Sequence, residues 1–186
     1  MTDHPAQREA LPAELEHLFS THLGRSLEGA VIVRSPGRMN LLGEHTDYNG
    51  GLVLPIAIDR STLIVAAPAR PRVRVWSEAR AELDIFEAWD VRRDSERLWA
   101  NYVRGVVWVL QAEGVPLAGA DLLIAGDLPL GSGVSSSASL EVGVALAGKG
   151  GYDAAPAEKV ASVVVDFMTP ETETSHWYFW GMARNF

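Results

Sequence analysis

The 186-residue chain contains no cysteine, so neither a disulfide framework nor a thiolate metal site can be built from it. No stretch approaches the roughly eighteen consecutive apolar residues that a membrane-spanning helix requires. The N-terminus, with Asp3 and Glu9, lacks the apolar stretch of a secretion signal. Positive charge is also scarce. Sixteen lysines and arginines against twenty-four aspartates and glutamates give a net charge of −8, which argues against nucleic-acid and anionic-membrane surfaces. Together these absences predict a soluble, untargeted, cytoplasmic protein. The 47% of hydrophobic residues suffices for one well-buried core but not for two full lobes.

Periodicity predicts a mixed α+β chain. Leu11, Leu15, Leu18, Phe19 and Leu23 mark an amphipathic helix that Gly24 can end. Strand patterns follow at 30–34, 52–58, 61–67, 73–76 and 83–86. Val103, Val106, Val107 and Leu110 then give a second helix a core face, and a buried strand is predicted over 120–128, with a helix over 137–146.

Between that strand and helix lies Pro-Leu-Gly-Ser-Gly-Val-Ser-Ser-Ser-Ala-Ser, residues 129–139. A phosphate needs converging donors without steric obstruction, and Gly131 and Gly133 let the backbone approach closely. Ser135, Ser136 and Ser137 add hydroxyls where a helix N-terminus presents unpaired amides and partial positive charge. A triphosphate suits such a cradle. A Gly-Ser-rich turn can also be a bare connection, but three serines in succession favour the phosphate. The string is neither a Walker A loop nor a dinucleotide fingerprint.

The second constellation is Gly-Arg-Met-Asn-Leu-Leu-Gly-Glu-His-Thr-Asp-Tyr-Asn-Gly, residues 37–50. Arg38, Glu44, His45 and Asp47 fall between two strand patterns and are predicted to crowd one turn. Carboxylates accept from sugar hydroxyls, an imidazole can donate or accept, and a guanidinium can hold phosphate oxygens, so the group suits a polyol. An ion-paired surface loop is the alternative.

The 129–139 string resembles the phosphate-binding loop of the GHMP kinase family, with Val134 where leucine is usual. The 37–50 string narrows the likeness to galactokinases, differing at hydrophobic positions such as Met39 and Leu42. The resemblance covers about residues 8–148 and implies the N-terminal lobe of the GHMP kinase fold, a mixed sheet with packed helices. It implies that ATP phosphorylates the anomeric hydroxyl of galactose. Glu44, His45, Thr46 and Asp47 would line the sugar site, with Arg38 stabilising charge at the reacting oxygen. Leu130, Gly131, Ser132, Gly133, Val134, Ser135, Ser136, Ser137 and Ala138 would hold the phosphates, with Mg2+ near Ser136. Trp99, in Trp-Ala-Asn-Tyr-Val-Arg-Gly, resembles the family's tryptophan near the adenine, although plain core serves equally well. Ser77 matches a family serine near the nucleotide, although a strand-end serine is ordinarily a turn former.

Beyond Gly148 the text changes. Lys149-Gly-Gly151 is linker-like, and the Cys-Gly-x-Met-Asp-Gln segment that supplies the galactokinase catalytic aspartate is absent. Asp153 and Asp166 lack its neighbours and are predicted to be solvated or strand-end residues. Residues 168–186 are similar to a strand of Rieske non-haem iron oxygenases of the vanillate demethylase type. His176 there lacks the partners of an iron triad and is predicted not to be a ligand. The expectation is a kinase lobe over 1–148, incomplete, joined by a fused reading frame to a tail of different origin over 149–186. Its sugar kinase activity would be impaired. The alternatives are a galactose- and ATP-binding sensor or a non-functional chimera.

Overall fold

The computed structural model describes residues 5–43, 52–115, 117–131, 133–153, 163–170 and 176–183. Helix α1 (Pro5–Leu23) places Leu15, Phe19 and Leu23 on one stripe, and all three are buried. Gly24 closes it with φ 67° and an amide bond of 3.0 Å to Ser20 O, as predicted.

Strands β1 (Val31–Leu42) and β2 (Leu54–Pro68) form a long antiparallel pair. Here the structure corrects the sequence reading twice. The patterns at 52–58 and 61–67 fall on one strand, whose antiparallel register with β1 runs from Leu54 to Ala66. Likewise β1 continues past Arg34 to Leu42, so Arg38 lies on a strand and not in the turn beyond it. Pro36, which cannot donate to the ladder, is absorbed by a register shift between Pro36 and Arg38, the usual way a strand tolerates proline.

Then come β3 (Arg72–Ser77), a 3₁₀ turn (Glu78–Arg80), β4 (Glu82–Glu87), α2 (Ala100–Ala112), β5 (Ala120–Gly126) and α3 (Ser136–Asp153). The five strands form one sheet in the order β1-β2-β5-β3-β4. Alternation along β2 divides the core into two layers. Leu63, Val65 and Ala67 join Leu15, Phe19 and Leu23 of α1 on one face. Ile64 and Ala66 join Val103, Val106 and Val107 of α2 and Val144 of α3 on the other, which bears out the predicted core face of α2. The α1 layer is tied down by charge. Buried Asp121 receives Arg74 through two bonds of 2.6 and 2.7 Å and Arg25 through one of 3.2 Å, while Arg74 also donates to Leu23 O at 3.0 Å. A carboxylate this deep persists only because it is paired and hydrogen-bonded.

Helix α3 passes through Lys149, Gly150 and Gly151, where a linker was expected. Propagation adds one hydrogen bond per residue and tolerates an occasional glycine at about 1 kcal/mol. Beyond it, β6 (Val163–Pro170) and β7 (His176–Ala183) form a separate antiparallel ribbon, with Asp166 inside β6 opposite Trp180. Among the described residues no helix is long and apolar enough to cross a membrane.

Candidate active site

Strand polarity gathers the site. β2 is antiparallel to both β1 and β5, and β3 is parallel to β5, so β1, β3 and β5 all run the same way. Their C-terminal ends therefore share one end of the sheet, the position from which loops present ligand-binding groups in sheets of this kind. The last stretch of β1 carries Arg38, β3 ends at Ser77, and the loop that begins at Asp127 follows β5. The segments predicted from sequence to act together are thus neighbours by topology.

The loop is anchored at its entry. Asp127 accepts from the Ser61 amide at 2.9 Å and from Arg60 at 2.8 Å. Burial alone would raise the pKa of its carboxyl, but the Ser61 amide and the Arg60 guanidinium outweigh that and hold it below the usual carboxylate value. Gly131 and Gly133 then take φ 70° and 76°, and Ser135 takes φ 60°, the left-handed region that glycine enters without strain. Among the described residues, a Cβ at either glycine would meet no atom within 4 Å. The first helical bond of α3 runs from the Ser139 amide to Ser135 O at 2.9 Å. The amides of Ser136, Ser137 and Ala138 thus lie in the helix's unpaired first turn. Ser135, Ser136 and Ser137 are half-buried, Ala138 is buried and Leu130 is exposed.

The sugar-motif strand is stitched to this loop. The Arg38 amide donates to Val134 O at 3.1 Å, and Ser135 Oγ reaches Arg38 O at 3.4 Å. Gly37, just before, is buried so closely that a Cβ would collide with Leu128 and stand 3.0 Å from Val134 O. One turn further, Ser139 Oγ lies 2.7 Å from Ser35 O and 2.9 Å from Thr62 Oγ1. A hydroxyl has one proton, so Ser139 donates to the carbonyl and accepts from Thr62. Sequence reasoning missed this pin. Glu44, His45, Thr46, Asp47 and Ser132 lie outside the described residues.

A second polar cluster surrounds Trp99. Its Nε1 donates to Glu82 Oε2 at 2.7 Å, while its ring packs against the core cluster of α2 and α3. Glu82 is the register partner of Ser77, so Ser77 and Trp99, far apart in sequence, are joined through Glu82. Next to them, Arg104 pairs with Asp84 at 2.8 and 3.0 Å, donates to Arg92 O at 2.9 Å and lies 4.5 Å above the Phe86 ring. Asp94 accepts the Glu96 and Arg97 amides, both at 2.8 Å. These bonds, Arg97's first, hold its carboxyl below the ordinary value. Neither Glu82 nor the buried pair was predicted. The available signal was the spacing Glu82, Asp84, Phe86, which puts two acids and a ring on one strand face.

Comparisons with known proteins agree with this geometry. Residues 17–68 match the galactokinase galactose-binding signature, and residues 101–165 match the GHMP kinases N terminal domain. The chain is 52% identical to a galactokinase of Roseiflexus sp. (strain RS-1) over 133 residues, 71% of this chain and 33% of that protein. It is 51% identical to a galactokinase of Thermococcus kodakarensis over 112 residues, 60% of this chain and 31% of the relative. The chain therefore spans about a third of the length of the curated relatives it matches. Among solved structures, Lactococcus lactis galactokinase complexed with galactose superposes with a TM-score of 0.66 at 38% identity, covering 71% of this chain and 35% of that one. Methanococcus jannaschii mevalonate kinase, at 20% identity and TM-score 0.57 over 66% of this chain and 40% of its own, shares the fold.

Proposed function

The chain carries the galactokinase N-terminal region in the GHMP kinase N-terminal fold, and on that premise we propose that it binds galactose and ATP for phosphoryl transfer to the anomeric hydroxyl. The observation supporting this most strongly is the bond between the Arg38 amide and Val134 O, which ties the sugar-motif strand to the loop we assign to the phosphates. Transfer between two substrates depends above all on their mutual positioning, and these two segments cannot drift apart. The amides of Ser136, Ser137 and Ala138 and the left-handed loop before them receive the phosphate oxygens. Ser77 and Trp99 border the base. Arg38 offsets charge as the sugar oxygen attacks, and Glu44, His45, Thr46 and Asp47 orient the sugar hydroxyls.

Magnesium fits this donor set. No cluster of three or more His, Cys, Asp or Glu able to hold a metal occurs among the described residues. The Ser136 hydroxyl, at the first position of α3, would hold the ion together with nucleotide oxygens and water, the mixed coordination magnesium favours. Bound there, it would neutralise phosphate charge. The aspartate expected from the family's Cys-Gly-x-Met-Asp-Gln segment has no counterpart in these residues, so we infer that the 186-residue chain turns over slowly. The same feature favours a second reading, a galactose and ATP sensor.

Calorimetry on the purified chain tests the site. Gly133→Val should abolish most ATP affinity, since a β-branched side chain would strain φ 76° and crowd a backbone that must approach the phosphates closely. Equal affinity would refute the loop assignment. A coupled ADP-release assay separates enzyme from sensor: galactose-dependent turnover above about 1 s⁻¹, within the common enzyme range, would exclude the sensor and the inferred impairment together.

A further inference from the structure

We infer that Glu82 is a positioning residue of the nucleotide site, acting through the indole of Trp99; this rests on the proposed place of Trp99 beside the base. An indole on a helix terminus has a broad χ2 preference, and Trp99, packed on the core, is only half-buried. The bond of 2.7 Å from Nε1 to Glu82 Oε2 is charge-assisted, stronger and more directional than a neutral one. It selects a single ring orientation. The carboxylate is itself held in place by strand β4, where Glu82 sits opposite Ser77 at the end of the sheet that carries the phosphate loop.

The rest of the β4 face supports the same assignment. Side chains two apart on a strand point the same way, and here Glu82, Asp84 and Phe86 meet Trp99, Arg104 and Arg104 respectively. Asp84 and Phe86 therefore fix the rotation of α2 about its axis through buried Arg104, and Glu82 fixes the ring at its start. The bearing of the indole is set from the sheet, with the helix as its carrier. A base stacking on that ring meets a surface oriented before it arrives, which lowers the cost of binding.

The test measures MgATP and galactose affinity by calorimetry on the full chain, with thermal midpoints recorded for every variant. Glu82→Leu should weaken MgATP binding about tenfold, the factor expected for one lost charge-assisted hydrogen bond, and leave galactose affinity unchanged. Glu82→Gln, whose amide oxygen still accepts the indole proton, should stay within about twofold of the parent. In the Trp99→Phe background Glu82→Leu should have no further effect. If Trp99→Phe binds MgATP like the parent, the assignment of Trp99 to the base fails. If Trp99→Phe is weakened but Glu82→Leu is not, that assignment stands and Glu82's role is overturned. An equal loss from Glu82→Leu with and without the indole, or a galactose affinity that falls in parallel, also overturns it.

Discussion

The two halves of the β1–β2 hairpin have similar sequences and opposite environments. Every residue of β2 from Ser61 to Ala67 is buried, whereas from Leu54 to Arg60 all are exposed except half-buried Ile58. Hydropathy does not separate Leu54, Ile56 and Ile58 from Leu63, Ile64 and Val65. The layers do: α1 covers one face and α2 and α3 the other only over the inner half. The outer half is met by the Val134–Ser135 segment at Arg38, but further out Leu42 is 70% exposed and Leu54 51%. Burial is therefore a property of stacked elements and not of a strand's own text. The inner half holds the sheet together, and the outer half carries the chain from Arg38 toward the sugar motif.

Substitution at matched positions tests this contrast. Ile64→Ala, in the inner half, should cost about 3 kcal/mol, within the range for a fully buried isoleucine. Chemical denaturation giving less than about 1 kcal/mol would break the comparison. Ser139→Ala removes the hydroxyl between Ser35 and Thr62 and should cost about 1–2 kcal/mol by leaving a buried acceptor unmet. Adding Thr62→Val should cost less than its separate effect predicts, because the two share one bond. At the boundary between halves, Asp127 titrates below its usual value when folded. Its contribution is therefore present above the unfolded pKa, about 4, and is lost as pH falls through the folded one. Asp127→Asn should thus lower stability at neutrality and converge with the parent below about pH 4, flattening the acid limb, as pH-dependent denaturation would show. The smallest effect should come from Leu42→Ser at the tip, within about 0.5 kcal/mol. A larger loss would mean that the tip is covered in solution.

The helices and the strand-to-helix turn before α3 were legible because their signals are local. Leu15, Phe19 and Leu23 recur at helical spacing, and Gly131, Gly133 and the serines announce a strand-to-helix turn within a few residues. The path of β1 was not legible, since Pro36-Gly37 is a dipeptide that ordinarily ends a strand and only the bulge carries the chain through. The charged pairs were hidden for another reason. Asp84 and Arg104 are 20 residues apart, and Arg74 and Asp121 are 47 apart. A single sequence shows the charges but not who meets whom. Glu82 shares that fate: an exposed acid after a turn gives no hint of the indole 17 residues on.

The place of β5 bears on how the chain assembles. It is the last of the five strands in sequence yet sits at the centre of the sheet, between β2 and β3. Synthesis therefore delivers two finished hairpins, β1–β2 and β3–β4, well before the strand that joins them. Until Gly126 has emerged, each hairpin bears an unpaired inner edge, the kind of surface that recruits strands from other molecules. Shortening the chain ahead of that residue should yield aggregates and not a smaller domain, and the sheet should close late, through contacts distant in sequence, which makes for slow folding.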